Sequence, residues 1–339
     1  MTSASRRYRF LVIGCGSIGT RHLRNLQALN AGEIVAYDVR PDRRQDVASR
    51  FGVHTVEHLE EGWESHPDVA LITVPTSAHI SLALEAADRG CHLFIEKPLG
   101  DRFDGLPRLL DVVKARELVT LVGCNLRFHP GVRQMKHLVT QGVVGRVVAA
   151  RLEMGQYLPD WHPWEDYRHG YSARRDLGGG IILDAIHEID YARWLLGEVD
   201  AVSCFTGSVS GLAIETEGIA AILLRFRSGA IGEIHVDYVQ RASSRTCHII
   251  GEEGTIRWDV ATGVRWYSAA TKAWQVMEHP EGFEFNHMYL DEMQHFLRCL
   301  EGQDVPALDV GEAARVLEVA LAAKTSAETQ QVMTLGSSR

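Results

Sequence analysis

The stretch YRFLVIGCGSIGTRHLRNLQAL, Tyr8 to Leu29, decides how this chain is read. It opens on a short apolar strand, Phe10 to Ile13, turns through Gly14-x-Gly16-x-x-Gly19, and continues with the helical pattern of Ile18, Leu23 and Leu26. Glycines are demanded where a turn is tight, where backbone must approach a pyrophosphate, and where a helix packs closely on a strand. The amides and positive dipole end of a helix starting near Ser17 and Ile18 then suit phosphates. Many glycine turns match this pattern, so the neighbouring sequence has to decide.

A second strand, EIVAYD, ends in Asp38, nineteen residues past Gly19. A carboxylate there accepts both hydroxyls of an adenosine ribose and repels a 2′-phosphate. Arg40 and Arg43 lie close enough to soften that preference. NAD is therefore the expected cofactor, with NADP left open; the other account of Asp38 is that it only starts the turn DVRPDR.

The alternation continues. DVALITVP, Asp68 to Pro75, reads as a buried strand, followed by a helix from Ser77 (its cap) to Arg89, with Gly90 as its stop. HLFIEKP is the next strand, then a helix from about Arg102 to Arg116, then LVTLVGCN. Strands and helices at this spacing mean an α/β fold with a doubly wound parallel sheet, whose ligands bind at the carboxyl ends of strands. That rule selects Gly14 to Gly19, Asp38, Pro75 to His79, Glu96 to Pro98, and Asn125 to Arg127. Lys97, at a strand end before Pro98, can steady an alkoxide or relay its proton; the plain account is a surface lysine.

In this order and spacing, GCGSIG, PTSAH, EKP, and GGG followed by an Asp/His helix resemble the glucose–fructose oxidoreductase / inositol dehydrogenase (Gfo/Idh/MocA) family over almost the whole chain. The resemblance implies an N-terminal NAD(P)-binding Rossmann domain, 1–125. It also implies a C-terminal α+β domain with a large, mostly antiparallel open sheet, 126–339, for substrate binding and oligomerisation. It further implies oxidation or reduction of a sugar, cyclitol or related polyol. By matching motif, Lys97 is the catalytic lysine, His187 the acid/base histidine, and Asp184 the aspartate preceding it. The candidate cofactor contacts are Gly14, Gly16, Ser17, Ile18, Gly19, Asp38, Thr73, Pro75, Thr76, His79, Glu96 and Lys97. Thr76 and His79 are expected along the cofactor, and Glu96 near its ribose or the nicotinamide. Many members space the Asp and His four apart; here Asp184 and His187 are three apart, which makes Asp184 the less secure of the two.

That pair lies in GGGIILDAIHEIDYARWLLG, Gly178 to Gly197. On one continuous helix Asp184, His187, Glu188 and Tyr191 would share an arc of about 100° on an otherwise apolar rod. Glu188 and Asp190 read equally well as salt-bridge partners for Arg193 or another cation. The three glycines either let the chain approach a site closely or form a flexible lead-in.

Ahead of this helix lies QYLPDWHPWEDYRHGYSARRDLGGG, a long irregular segment rich in Trp, Tyr, Asp and Arg. Aromatic rings pack on the C–H faces of a sugar while polar groups bond its hydroxyls, so Asp160, Trp161, Trp164, Tyr171 and Arg174 join Asn125, Arg127 and His187 as candidate substrate contacts. Its arginines point to an acidic or phosphorylated sugar; a structural loop or a subunit contact is the alternative. The remainder is strand-rich, from AVSCFTGSV to VRWYSAATKAWQVME, and two helices close the chain, Asn286 to Leu300 and Val310 to about Thr329. One sheet face then needs covering, and the resemblance implies a homodimer or homotetramer through it.

Composition narrows the rest. Of 339 residues 45% are hydrophobic and 23% charged, values of an ordinary globular protein of two domains. The net charge of −9, with scattered cations, argues against nucleic acid as a partner. No apolar run reaches membrane-spanning length, and the apolar run after the twin arginine Arg6-Arg7 ends at Gly14, too short for an export signal. Six isolated cysteines read as buried thiols in a reducing cytoplasm, and the histidines lack a metal-ligand ladder, so no metal is expected. Two rival functions stay open: an NAD-recycling glycoside cleavage by oxidation and elimination, and a non-catalytic NAD- or sugar-sensing regulator on the same fold.

Overall fold

The computed structural model describes residues 7–161, 163 and 165–336. The chain divides into two compact units, 1–125 with 285–314, and 126–284 with 315–339.

The first unit is built on six parallel strands: β1 (Tyr8–Ile13), β2 (Gly32–Tyr37), β3 (His54–Val56), β4 (Val69–Ile72), β5 (His92–Glu96) and β6 (Thr120–Gly123). Their spatial order, β3-β2-β1-β4-β5-β6, is that of a doubly wound sheet, with the reversal beside β1 where the glycine turn begins. The crossovers include α1 (Ser17–Ala28), α2 (Pro41–Phe51), α3 (Leu59–Glu64), α4 (His79–Asp88) and α5 (Leu106–Ala115). β4 is buried throughout because helices cover both sheet faces, which explains its unbroken apolar run. The expected cap Ser77 lies inside a short 3-10 turn, Thr76–Ala78, and α4 starts at His79 without a side-chain cap. Gly90 does end that helix region in a left-handed conformation, φ 82°.

The expected second domain, 126–339, is not one continuous piece. Helix α9 (Phe285–Leu300) belongs to the first unit, where Met293 and Phe296 enter the parallel-sheet core and Phe296 meets Phe94 edge to face at 5.6 Å. Beyond it the Leu308 carbonyl accepts from the Val122 amide at 2.8 Å, and the Val310 amide donates to Thr120 Oγ1 at 3.1 Å. The apolar stripe on α9 buries itself on the first sheet, and that decides its place.

The second unit carries nine strands: β7 (Val147–Gly155), β8 (Val199–Gly207), β9 (Ile219–Phe226), β10 (Ile231–Asp237), β11 (Ser244–Gly251), β12 (Gly254–Asp259), β13 (Gly263–Ser268), β14 (Ala273–Met277) and β15 (Met333–Thr334). Their order is β14-β13-β12-β11-β7-β10-β9-β8-β15. Every pairing is antiparallel except β7 with β10, which makes this the large open sheet expected. α6 (Pro130–Thr140), α7 (Ile181–Asp184) and α8 (Ile186–Leu196) pack on one face. α10 (Val310–Thr329) closes the fold. On β9, alternate residues are buried, and the opposite row presents Ala221, Leu223 and Arg225 to solvent beside Phe205 and Ile231. No helix among the described residues is long and apolar enough to cross a membrane.

Candidate active site

In the first unit the glycine turn is shaped by close contacts. Gly14 has φ 103°, and a Cβ on it would lie 2.6 Å from the Thr73 carbonyl oxygen. A Cβ on Gly19 would collide with the Gly14 carbonyl oxygen, so this glycine lets α1 sit directly on the turn. At Gly16 a Cβ would meet nothing nearer than the Arg43 guanidinium at 3.4 Å, which leaves this side of the turn for a phosphate to approach. Thr73 braces the turn from β4, its hydroxyl 2.7 Å from the Gly14 carbonyl and 3.0 Å from that of Ile13.

Asp38 is buried at the end of β2. Its Oδ2 accepts from the Cys15 amide at 2.7 Å and its Oδ1 from the Arg40 amide at 2.8 Å, so it both anchors the glycine turn and opens the turn after β2. The Arg43 guanidinium stands 3.7 Å from Oδ2, and Arg44 donates to the Asp38 carbonyl at 2.8 Å. These residues fit an NAD adenosine: a carboxylate for ribose hydroxyls, with two cations near enough to moderate its charge. Burial first, then Asp38, pushes the adjacent Cys15 thiol up to about 12, so it is no nucleophile.

At the end of β5, Lys97 is half-buried and precedes a cis bond to Pro98. Glu96 is turned inward: its Oε1 lies 2.6 Å from Nε2 of His22 on α1, and its Oε2 accepts from the Lys97 amide at 3.1 Å. His79, expected along the cofactor, faces backbone instead. Its Nδ1 lies 2.7 Å from the Pro98 carbonyl and its Nε2 2.8 Å from that of Val74. A fully enclosed imidazole must place its polar atoms on whatever backbone it meets, and burial holds it below the ordinary histidine range against the pull of both carbonyls. Thr76 is buried in the turn before α4, and Asn125 is buried just beyond β6.

In the second unit the Asp/His segment is two helical pieces. α7 ends at Asp184, Ala185 departs from helical geometry (φ −90°, ψ 31°), and α8 begins at Ile186. The single arc expected of Asp184 and His187 is thus corrected: the helix breaks at Ala185, between them. Asp184 is buried, and Tyr238 at the end of β10 donates to its Oδ2 at 2.6 Å. Burial, then the Asp184 charge, raises the Tyr238 hydroxyl well above its ordinary value, so the phenol keeps its proton as donor. His187 stands in the first turn of α8, 7% exposed. The glycines before this pair serve close packing. A Cβ on Gly179 would strike the Tyr171 carbonyl, and one on Gly180 the Glu217 carboxylate, which also accepts from the Ile182 amide at 3.4 Å.

Asp190 and Glu188 are structural. Asp190 takes a forked ion pair from Arg127, with Nη2–Oδ1 2.7 Å and Nε–Oδ2 2.9 Å, while Glu188 faces Arg245 at 2.9 Å. Arg127, expected as a substrate contact, is 6% exposed, with its guanidinium held by Asp190 and 5.2 Å from the Trp194 ring. Arg174 is likewise engaged, paired with Asp176 two residues on, as Arg168 is with Asp166. Two of the loop arginines thus have a neighbouring carboxylate, while the Arg175 guanidinium donates to the Glu215 carbonyl at 2.9 Å. Trp161 stacks its edge on Tyr238 at 5.4 Å and donates to the Gln156 carbonyl at 3.3 Å, and Tyr171 is half-buried nearby in sequence. Asp160 is exposed; Trp164, like His162, lies outside the described residues.

Sequence reading missed His22, Tyr238 and Glu217. His22 had a faint signal, a histidine one turn from Leu26 on the buried side of α1. A further set, Cys299, His295 and Asp304, imitates a nucleophile triad. Its Nε2 accepts from the Ala307 amide at 3.0 Å, and burial pushes the thiol up to about 11, so it braces α9. Among the described residues no group of three His, Cys, Asp or Glu is arranged to hold a metal ion.

Comparison with known proteins agrees with this geometry. Residues 8–124 match the model of an oxidoreductase family with an NAD-binding Rossmann fold, and residues 132–257 that of the GFO/IDH/MocA C-terminal domain. The myo-inositol 2-dehydrogenase of Thermotoga maritima is 28% identical over 96% of this chain and 98% of its own length. An inositol 2-dehydrogenase of Saccharopolyspora erythraea is 30% identical over 73% of this chain and 71% of its own. A levoglucosan dehydrogenase solved with NADH and L-sorbose superposes with a TM-score of 0.87 at 21% identity, covering 98% of this chain and 99% of that one. The chain belongs to the GFO/IDH/MocA family and is an NAD-dependent oxidoreductase.

Proposed function

We propose that this enzyme transfers a hydride between NAD and a secondary alcohol or ketone carbon of a sugar, sugar derivative or cyclitol. The reading is supported by the inositol and levoglucosan dehydrogenases among its relatives. The observation that carries it is the buried Asp184 carboxylate, held by Tyr238 at 2.6 Å and placed just ahead of His187. A carboxylate is retained in such surroundings at a cost, and a neighbouring imidazole that gains and loses a proton gives it a use.

NAD fits the first unit: Gly14, Gly16 and Gly19 shape the phosphate turn, Ser17 and Ile18 offer amides at the helix start, and Asp38 offers a ribose acceptor. When bound, the nicotinamide supplies the hydride acceptor or donor. The chain's own groups handle the proton. His187 takes it from the substrate hydroxyl, Asp184 favours the charged imidazole, and Lys97 offsets the negative charge growing on oxygen. Asn125, Trp161 and Tyr171 hold the remaining hydroxyls and C–H faces.

The first unit then serves NAD and the second the substrate and self-association. A second copy covers the open face of the nine-stranded sheet, where Phe205 (72% exposed), Leu223 (52%) and Ile231 (44%) stand among charged neighbours. A dimer or tetramer in a reducing cytoplasm is consistent with that face and with six free, buried thiols.

The test is a panel of sugars and inositols, with reduced cofactor read by absorbance, on wild type, Lys97→Ala and His187→Ala. Turnover on at least one substrate, lost in both variants, is expected. Wild-type turnover in both variants refutes the assignment.

A further inference from the structure

The peptide carrying Lys97 is gripped on both flanks by buried histidines, and neither histidine has a role in the reaction as described above. We infer that His22 is a positioning residue for Lys97, acting through Glu96, and that His79 secures the opposite flank through Pro98. This rests on the reading that Lys97 offsets the oxyanion charge.

His22 is fully buried on α1, three residues after Gly19. Its Nε2 is 2.6 Å from Glu96 Oε1, while its Nδ1 has no partner among the described residues. A proton on Nδ1 would therefore be buried and unsatisfied, so the proton sits on Nε2 and His22 donates to the carboxylate. The other oxygen of Glu96 accepts from the Lys97 amide at 3.1 Å. One buried carboxylate thus joins the helix of the dinucleotide turn to the backbone of the lysine. Its position is closed from behind by Gly123, where a Cβ would lie 3.1 Å from Oε1. The imidazole is fixed by ring edges, Phe94 at 4.8 Å and Tyr289 at 6.1 Å.

On the far side, the His79 ring lies between the Pro98 carbonyl, 2.7 Å from its Nδ1, and the Val74 carbonyl, 2.8 Å from its Nε2; the neutral imidazole donates to one of them and packs against the other. The Lys97 amide and the Pro98 carbonyl, on either side of the Lys97 Cα, are both in contact with these buried side chains. A cation that stabilises a developing charge is effective only when it is already in place; a misplacement of about 1 Å can cost two orders of magnitude in rate. A buried histidine–carboxylate contact adds little to stability that apolar packing would not supply, so fixing a neighbouring functional group is the better account of it here.

The test uses His22→Ala, His22→Gln and Glu96→Gln in the full chain. Trace acetylation with acetic anhydride over a pH series, read by peptide mass spectrometry, gives the reactivity of Lys97 relative to the exposed Lys272. In His22→Ala we expect that ratio to change by about threefold or more, and kcat on myo-inositol to fall about tenfold with the NAD dissociation constant unchanged within about twofold. Gln, whose Nε2 can reach the same carboxylate, is expected to restore most of both. Unchanged Lys97 labelling overturns the inference, and so does a loss carried entirely by weaker NAD binding. Should His22→Ala not fold, Glu96→Gln carries the same labelling test, with the same result expected and the same result fatal. Labelling needs no substrate, so full turnover in Lys97→Ala would refute the catalytic reading while leaving the positioning result to stand or fall by itself.

Discussion

Replacing Arg127 by Met separates two accounts of a residue that sequence placed in the substrate site. Its guanidinium is 6% exposed and Asp190 is 1% exposed, and the pair is forked, with contacts of 2.7 and 2.9 Å. Methionine keeps the stem but leaves the Asp190 carboxylate without its counter-charge in a dry setting. Breaking such a pair on one side costs about 3–5 kcal/mol. In a unit of this size each kcal/mol moves the melting temperature by about 2–4 °C, so a drop of about 10 °C is expected. Thermal melts by circular dichroism, with kcat and KM measured on the same preparations with a substrate that the sugar and inositol panel turns up, check it. The double variant Arg127→Met with Asp190→Leu removes both charges and is expected to recover most of the loss, because matched apolar pairs replace buried ion pairs at little cost. A wild-type melt for Arg127→Met together with a raised KM would refute the reasoning and return Arg127 to the substrate.

Three other perturbations probe different links. Tyr238→Phe removes the donor to Asp184 and is expected to lower kcat by about tenfold with KM little changed, in steady-state assays, since a hydrogen bond to a charged group is worth about 1.5–3 kcal/mol. Asp38→Ser leaves Arg43 without its carboxylate, and is expected to move the ratio of kcat/KM for NAD over NADP by at least about tenfold toward NADP; an unchanged ratio would remove Asp38 from ribose selection. His129 is held at about 4, below the ordinary 6.5, by burial first and then by His279 and Arg245. The unfolded chain therefore takes up a proton that the folded one refuses: the stability is present above pH 6.5 and is lost as pH falls toward 4, about 3 kcal/mol in all. His129→Asn keeps an acceptor for the Gly131 amide and is expected to flatten that slope by one proton in urea titrations at several pH values.

What could be read from sequence was what the chain specifies locally. The glycine turn, the strands ending in Asp38, Glu96 and Asn125, and the alternation that makes a parallel sheet each lie within a few residues of their own signals. Side-chain pairing is different, because its partners come from distant segments: Asp184 with Tyr238, 54 residues away, and Arg127 with Asp190, 63 away. Periodicity placed Arg127, His79 and Arg174 at the right edge or loop but could not say that a carboxylate or a carbonyl had already engaged them. The break at Ala185 was hidden for a related reason. Nothing in IILDAIHEI disfavours a continuous helix, and Glu217, whose carbonyl and carboxylate receive the Ile181 and Ile182 amides, enters from 35 residues downstream. The same distinction ranks the site residues. His22 and Glu96 are set by the fold of one unit alone, so their contact forms whenever that sheet forms. Asp184, at the end of α7, is set within the second unit by its meeting with Tyr238 just past β10. Partial destabilisation of the second unit should therefore impair proton transfer at His187 before it disturbs NAD binding.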